Sequence, residues 1–297
     1  MMFRKPLSLG AAALLLALIG VPPALATEFN PAPLQKAANE IENRLKTRIG
    51  IAVYDPENAI EWDYNGDQRF PMNSTMKAFA CATLLHQVDT GKSDLGQPVA
   101  IEEDMIVKHS PVTKDHIGSS NLTYADLCEA TVTTSDNTAA NLVLQELGGP
   151  AGLTAFMRSV GDQITRLDRY EPTLNEGTPG DPRDTTTPRA AAETLYKLVF
   201  SNALSDASRN KLAGWLEGNL VGDSTLRAGL PEGWRIGDKT GAGAYGSRGN
   251  IAIIWPPNRK PLALVVYLTE NKAAFKVRNK AIAEVGAAFA RSLEATH

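Results

Sequence analysis

Ser74-Thr75-Met76-Lys77 sets a hydroxyl and an amine three residues apart at the head of a run with helical periodicity. That spacing puts both side chains on one helix face, and a helix N-terminus favours negative charge growing on the serine. A serine hydroxyl is a weak nucleophile until a neighbouring group eases the loss of its proton, so the pair could supply an activated nucleophile. The pattern is short and recurs by chance: Ser208-Arg209-Asn210-Lys211 has it too and reads as a solvated helix face. Two further triplets, each present once, accompany it. Ser135-Asp136-Asn137 stands at a loop-to-helix junction and alone reads as a helix cap. Lys239-Thr240-Gly241 lies in an extended segment and alone reads as a charged strand end before a turn.

The elements that would carry these residues fall into two groups. Strand signals gather at the ends of the chain: Ile49 to Tyr54 and Ala59 to Tyr64 read as one hairpin around Asp55-Pro56-Glu57-Asn58, and Ser247 to Trp255 with Leu262 to Leu268 as another around Pro256-Pro257-Asn258. Helical runs frame them, from Pro31 to Leu45 and from Val277 to Leu293. One antiparallel sheet covered by terminal helices is the simplest assembly. The middle is nearly all helix: Thr75 to Thr90 stopping at Gly91, Tyr124 to Val132 behind Thr123, Asn137 to Leu147 before Gly148-Gly149, and Pro188 to Phe200 behind Thr187. Between Asp162 and Thr187 periodicity fails, and a loop of that length in a compact domain is usually functional. The expected fold is α/β (α+β) in two lobes, an α/β lobe from about 27–65 and 217–297 and a helical lobe from about 66–216, with a ligand cleft between them.

The three elements, in this order and at this spacing, resemble the penicillin-recognising serine enzymes, and the class A β-lactamases in particular. Arg169-Tyr170-Glu171-Pro172-Thr173-Leu174-Asn175 resembles that family's omega-loop signature, Arg183-Asp184-Thr185-Thr186 its closing segment, and Ser247-Arg248-Gly249 the strand whose arginine assists carboxylate binding. Cys81 and Cys128 fall where many class A enzymes carry a disulfide. The resemblance implies a two-lobed β-lactamase-like fold and a β-lactam hydrolase that needs no cofactor. Ser74 would be the nucleophile, with Lys77, or Glu171 through a water, as the acylation base. Ser135 would pass a proton to the departing lactam nitrogen, and Asn137 would hold the substrate's amide side chain and orient Lys77. The backbone N–H groups of Ser74 and Ala242 would form the oxyanion hole. Lys239, Thr240 and Arg248, with Gly241 beside them, would take the carboxylate, since an anion that must be oriented calls for cations and a hydroxyl. Glu171, held by Asn175, would deprotonate the water that releases the acyl-enzyme. An Arg169–Asp184 ion pair would clasp the loop.

Composition limits the alternatives. Arg4 and Lys5, an apolar stretch from Ala11 to Val21 and Ala24-Leu25-Ala26 have the order of a secretory signal peptide, giving an exported, periplasmic protein of residues 27–297 after cleavage near Ala26. The stretch is short of the roughly 20 apolar residues of a spanning helix, so no membrane anchor is expected. Removing residues 1–26 takes the net charge from −3 to −5, against a nucleic-acid partner, which would need a concentrated basic face. Two cysteines in an oxidising compartment read as a disulfide, with two buried thiols as the other reading. Four histidines without a Cys/His cluster give no metal site. Gly91-Lys92-Ser93 lacks the earlier glycine of a phosphate loop, where His86 stands. Asn73-Ser74-Thr75 and Asn121-Leu122-Thr123 are chance sequons.

Two rival functions remain at this level. A penicillin-binding peptidase shares the Ser-x-x-Lys chemistry, and Glu171 argues against it; a non-catalytic periplasmic module on the same fold is opposed by the intact set of Ser74, Lys77, Ser135, Glu171 and Lys239. The expected partners are β-lactams and clavulanate-type inhibitors, acting on a monomer. Penicillins and early cephalosporins are the default substrates. Asn73 and Gly243 stand where carbapenem-hydrolysing relatives often place a second disulfide. His109 lies at the cleft edge, where stacking and plain exposure are both open readings.

Overall fold

The computed structural model describes residues 1–2 and 29–294, so all but the first two residues of the expected leader, and the cleavage site near Ala26, lie outside the described residues. Strands β1 (Arg48–Asp55) and β2 (Ile60–Tyr64) pair near the start of the chain, and β7 (Arg235–Ala242), β8 (Arg248–Trp255) and β9 (Leu262–Thr269) near its end. They form one antiparallel sheet in the order β2-β1-β9-β8-β7. The hairpins sit where the sequence suggests, with trimmed bounds: Ala59 takes a left-handed conformation after a Pro56–Asn58 turn, and β8 starts at Arg248.

Both faces of the sheet are buried, which is why Ile251 to Trp255 of β8 and Leu262 to Leu268 of β9 are apolar without interruption. Successive side chains point to opposite faces, and the two sets enter different cores. Ile49, Ile51 and Val53 of β1 and Leu262, Leu264, Val266 and Leu268 of β9 pack with α1 (Ala32–Leu45) and α9 (Phe275–Leu293). Ala263, Val265 and Tyr267 join the core that continues into the helices. There α6 (Pro188–Phe200), capped as expected by Thr187, lies across β1, β8 and β9.

At the centre of the helical part is α2 (Met76–Asp89), buried from Met76 to Leu85 and packed against α3 (Tyr124–Thr133), α4 (Asn137–Glu146), α5 (Pro150–Ser159) and α7 (Asp206–Glu217). A helix apolar on all sides needs such a setting. The Cys81–Cys128 disulfide, with Cα atoms 5.6 Å apart, joins α2 to α3 inside this core. Helices α5, α7 and the short α8 (Leu226–Gly229) are not among the periodic runs picked out above. Within α7 the second Ser-x-x-Lys is not the solvated face expected: Ser208 is buried and donates to Asp89 at 2.7 Å, while Lys211 is exposed over the Trp215 ring. Short pairs complete the fold, β3 (Phe70–Pro71) with β6 (Thr185–Thr186) and β4 (Pro98–Ile101) with β5 (Ser119–Thr123).

Candidate active site

Ser74 lies in a 3-10 turn, Asn73–Thr75, immediately before α2 rather than inside the α-helix, and Lys77 follows in the helix's first turn. β7 runs alongside this turn. A side chain on Gly241 would place its Cβ 2.7 Å from Met72 O and 3.0 Å from Ser74 N, so glycine is what lets the strand come this close. Gly243 is hemmed in as well: its Cβ would meet Asn73 Oδ1 at 2.2 Å, and Asn73 is buried with Nδ2 donating to Ser247 Oγ at 3.1 Å.

Lys77 is fully buried and its Nζ is surrounded by acceptors: Ser135 O at 2.8 Å, Ser135 Oγ at 3.2 Å, Asn137 Oδ1 at 2.5 Å and Glu171 Oε1 at 3.1 Å. Burial pulls its pKa below the lysine value, while the Glu171 carboxylate opposes that fall. Ser74 Oγ donates to the same Glu171 Oε1 at 3.3 Å. One carboxylate oxygen therefore serves both the hydroxyl and the ammonium. The other, Oε2, accepts from Asn175 Nδ2 at 2.5 Å.

Ser135 sits at φ +63°, a left-handed conformation uncommon for a residue with a side chain. Neighbouring bonds hold it there. Lys77 grips its carbonyl, and its Oγ accepts from Lys77 and, at 3.1 Å, from Lys239 Nζ. Asp136 does cap α4 through Ala139 N at 2.9 Å, and it also accepts from the backbone N–H groups of Val112 and Thr113. Lys239 is fully buried and also donates to Thr240 O at 2.9 Å; burial, with Lys77 nearby, holds its pKa well below the lysine value.

The loop from Asp162 to Thr187 brings Glu171 to α2 and is tied at its neck. Arg169 Nε donates to Asp184 Oδ2 at 2.5 Å, and Asp184 Oδ1 accepts from the backbone of Asp168 and Arg169 at 2.8 and 2.9 Å. Asn141 adds a clamp absent from the sequence reading: its Oδ1 accepts from Glu171 N and its Nδ2 donates to Glu171 O, both at 2.9 Å. The signal was available, since Asn141 stands four residues after Asn137 and four-residue spacing keeps one helix face.

These groups surround a cavity of about 570 Å³ whose wall includes Ser74, Ser135, Asn137, Asn175, Thr240, Gly241, Ala242 and Arg248. Lys77, Glu171 and Lys239 lie behind that wall and reach it through their hydrogen bonds to Ser74, Asn175 and Ser135. His109, exposed and with Nε2 3.2 Å from Thr134 O, lines the cavity edge. At the far end Arg248 is 4 % exposed; its Nε donates to Asn279 Oδ1 at 2.8 Å and its Nη1 to Gly241 O at 2.9 Å. Burial and the nearby Arg278 lower its pKa to about 10. Asn279, Ser224, Val221 and Phe275 belong to this end and were not anticipated. Among the described residues no cluster of three or more His, Cys, Asp or Glu could hold a metal ion, and no helix is long and apolar enough to cross a membrane.

Such an arrangement suits covalent acyl transfer: an activated hydroxyl, a second hydroxyl between two lysines to move a proton, and cations where an anion would bind. Residues 33–293 match the model of the β-lactamase enzyme family. The chain is 48 % identical to β-lactamase AER-1 of Aeromonas hydrophila over 85 % of its own length and 83 % of the relative's. It is 46 % identical to β-lactamase PSE-4 of Pseudomonas aeruginosa, over 85 % and 88 %. A solved class A β-lactamase representing the last common ancestor of Gram-negative bacteria superposes with a TM-score of 0.86 at 50 % identity, covering 89 % of this chain and all of that one.

Proposed function

From the chain's membership of the β-lactamase enzyme family, class A, which makes it a β-lactam hydrolase, we propose that Ser74, Lys77, Ser135 and Glu171 carry its two-step reaction inside a single catalytic domain, residues 27–297. The observation that carries this reading is the sharing of Glu171 Oε1 by Ser74 Oγ and Lys77 Nζ at 3.3 and 3.1 Å. In acylation the Ser74 proton passes to Glu171 as Oγ attacks the lactam carbonyl, and Lys77 holds that carboxylate in place; hydrogen-bond reach is the first requirement of a general base. The N–H groups of Ser74 and Ala242 take the charge of the tetrahedral intermediate. Ser135 gives its proton to the lactam nitrogen as the ring opens and is resupplied by the Lys77 ammonium, which takes up in turn the proton that Glu171 received from Ser74, so that Glu171 is a carboxylate again. Glu171, steadied by Asn175, then deprotonates a water that releases the penicilloyl group and restores Ser74.

Asn137 takes the substrate's amide side chain. Thr240, Gly241 and Arg248 form the carboxylate site, with Lys239 adding its charge from behind Ser135. Clavulanate-type inhibitors enter by the same acylation. The enzyme works as a periplasmic monomer once the leader is removed near Ala26.

Glu171→Ala tests the reading. General-base catalysis is worth about 10²–10⁴ in rate; with Lys77 left to take the Ser74 proton, acylation should continue while deacylation has no base, so rapid mixing with excess penicillin should give a near-stoichiometric burst, then almost no turnover. Intact mass should show the drug on Ser74, and Ser74→Ala should show no adduct. Turnover by Glu171→Ala at the parent's rate would remove Glu171 from the mechanism.

A further inference from the structure

Phe275 is the first residue of α9, 48 % exposed, and it stands in the cavity wall beside Arg248. An aromatic ring this exposed is normally free to turn, yet this one is flanked by two cations: the Arg248 guanidinium lies 4.9 Å from its centroid and that of Arg278 5.5 Å. Both cations are themselves fixed. Arg248 is buried and bonded to Asn279 and Gly241, and Arg278 Nη1 donates to Ser247 O at 3.3 Å. Asn279 is braced in turn, its Nδ2 donating to Ser224 Oγ at 2.9 Å. The ring is thus an apolar wall of set position at the end of the cavity that holds the cations.

We propose that Phe275 is a specificity-determining residue, contacting the group next to the substrate's carboxylate-bearing carbon and favouring β-lactams that carry a large, neutral, flat substituent there. The inference rests on the assignment of Thr240, Gly241 and Arg248 to the carboxylate. In a cephalosporin the carbon bearing the carboxylate is bonded directly to the carbon bearing the variable substituent. A carboxylate seated against Arg248 therefore brings that substituent to the ring stacked on the same guanidinium. Burial of apolar surface against the ring rewards a flat aryl group. A positively charged substituent would instead meet two guanidinium groups of its own sign.

The test compares three cephalosporins that share one acyl side chain and carry methyl, a neutral aryl group or a pyridinium-methyl group at the variable carbon. In the parent, kcat/KM should rank the aryl compound above the methyl one and the pyridinium compound below the aryl one. In Phe275→Ala the aryl-to-methyl ratio should fall about tenfold, which is about 1.4 kcal/mol, while Phe275→Tyr, which keeps the ring, should retain the parent's ratio. A Phe275→Ala variant that lowers kcat/KM on all three by one factor and leaves the ratio intact would overturn the proposal alone, since the ring would then act only by steadying Arg248. Arg248→Ala should weaken all three compounds. Undiminished kcat/KM for that variant on every compound would overturn the carboxylate assignment and the proposal with it.

Discussion

Asn141→Ala probes whether the carboxylate proposed to activate the deacylating water, that of Glu171, is placed by its own backbone. Asn141 Oδ1 and Nδ2 bond the N–H and C=O of Glu171, both at 2.9 Å, and Glu171 is 3 % exposed. Alanine leaves both main-chain groups without this partner, and a buried polar group left unsatisfied costs about 1–3 kcal/mol. The loop can relieve that cost by shifting, because its neck stays tied by Arg169 and Asp184. A total of about 2 kcal/mol is therefore expected, with a Tm loss of about 4–8 °C for a chain of this size. Catalysis should suffer more. A catalytic group displaced by about 1 Å can lose about 10² in rate, so deacylation should slow about a hundredfold and the penicilloyl enzyme should accumulate. Stopped-flow kinetics read the deacylation rate, intact mass reads the adduct, and calorimetry reads Tm. A folded variant that deacylates within twofold of the parent would refute the reasoning, since Glu171 would then hold its position without the clamp.

Asp184→Ala removes the acceptor of the loop's neck, a carboxylate 1 % exposed, and should cost about 3 kcal/mol; limited proteolysis should then cut between residues 162 and 187, and an unchanged digestion pattern would contradict the clasp. Because burial holds the Lys239 pKa well below 10.5, its positive charge disappears before the ordinary lysine range as pH rises. KM for a penicillin should climb through that window, and Lys239→Arg, which stays charged, should move the climb to higher pH; a KM flat up to the ordinary lysine range would remove Lys239 from carboxylate binding. Replacing Cys81 and Cys128 together with alanine should lower stability by about 2–4 kcal/mol, seen as a lower Tm, whereas an unchanged Tm would mean that the bond between α2 and α3 holds nothing the core does not.

What could be read along the chain was whatever depends on near neighbours. The three-residue step from Ser74 to Lys77, the Thr123 and Thr187 caps, the apolar runs of β8 and β9, and the single pairing open to two cysteines are local or combinatorial facts, and all of them stand in the folded molecule. The omega-loop signature was legible for the same reason, since Glu171 and Asn175 are four residues apart. Helix α5 was missed although Gly149 and Pro150 mark its start, and Ser208 was misjudged because its partner, Asp89, lies 119 residues away. Asn141 and Asn279 act on Glu171 and Arg248 across 30 and 31 residues. Four-residue spacing puts Asn141 on the helix face of Asn137, but no periodicity names a partner that far along the chain. Such a contact arises when α4 and α9 pack beside the omega loop and β8, and burial then turns an ordinary surface amide into a required partner. The same packing decided the electrostatics: Lys77 and Lys239 have unremarkable neighbours in sequence, and it is their removal from water that lowers their pKa, while Glu171 and Ser135 brought against them fix where a proton can go.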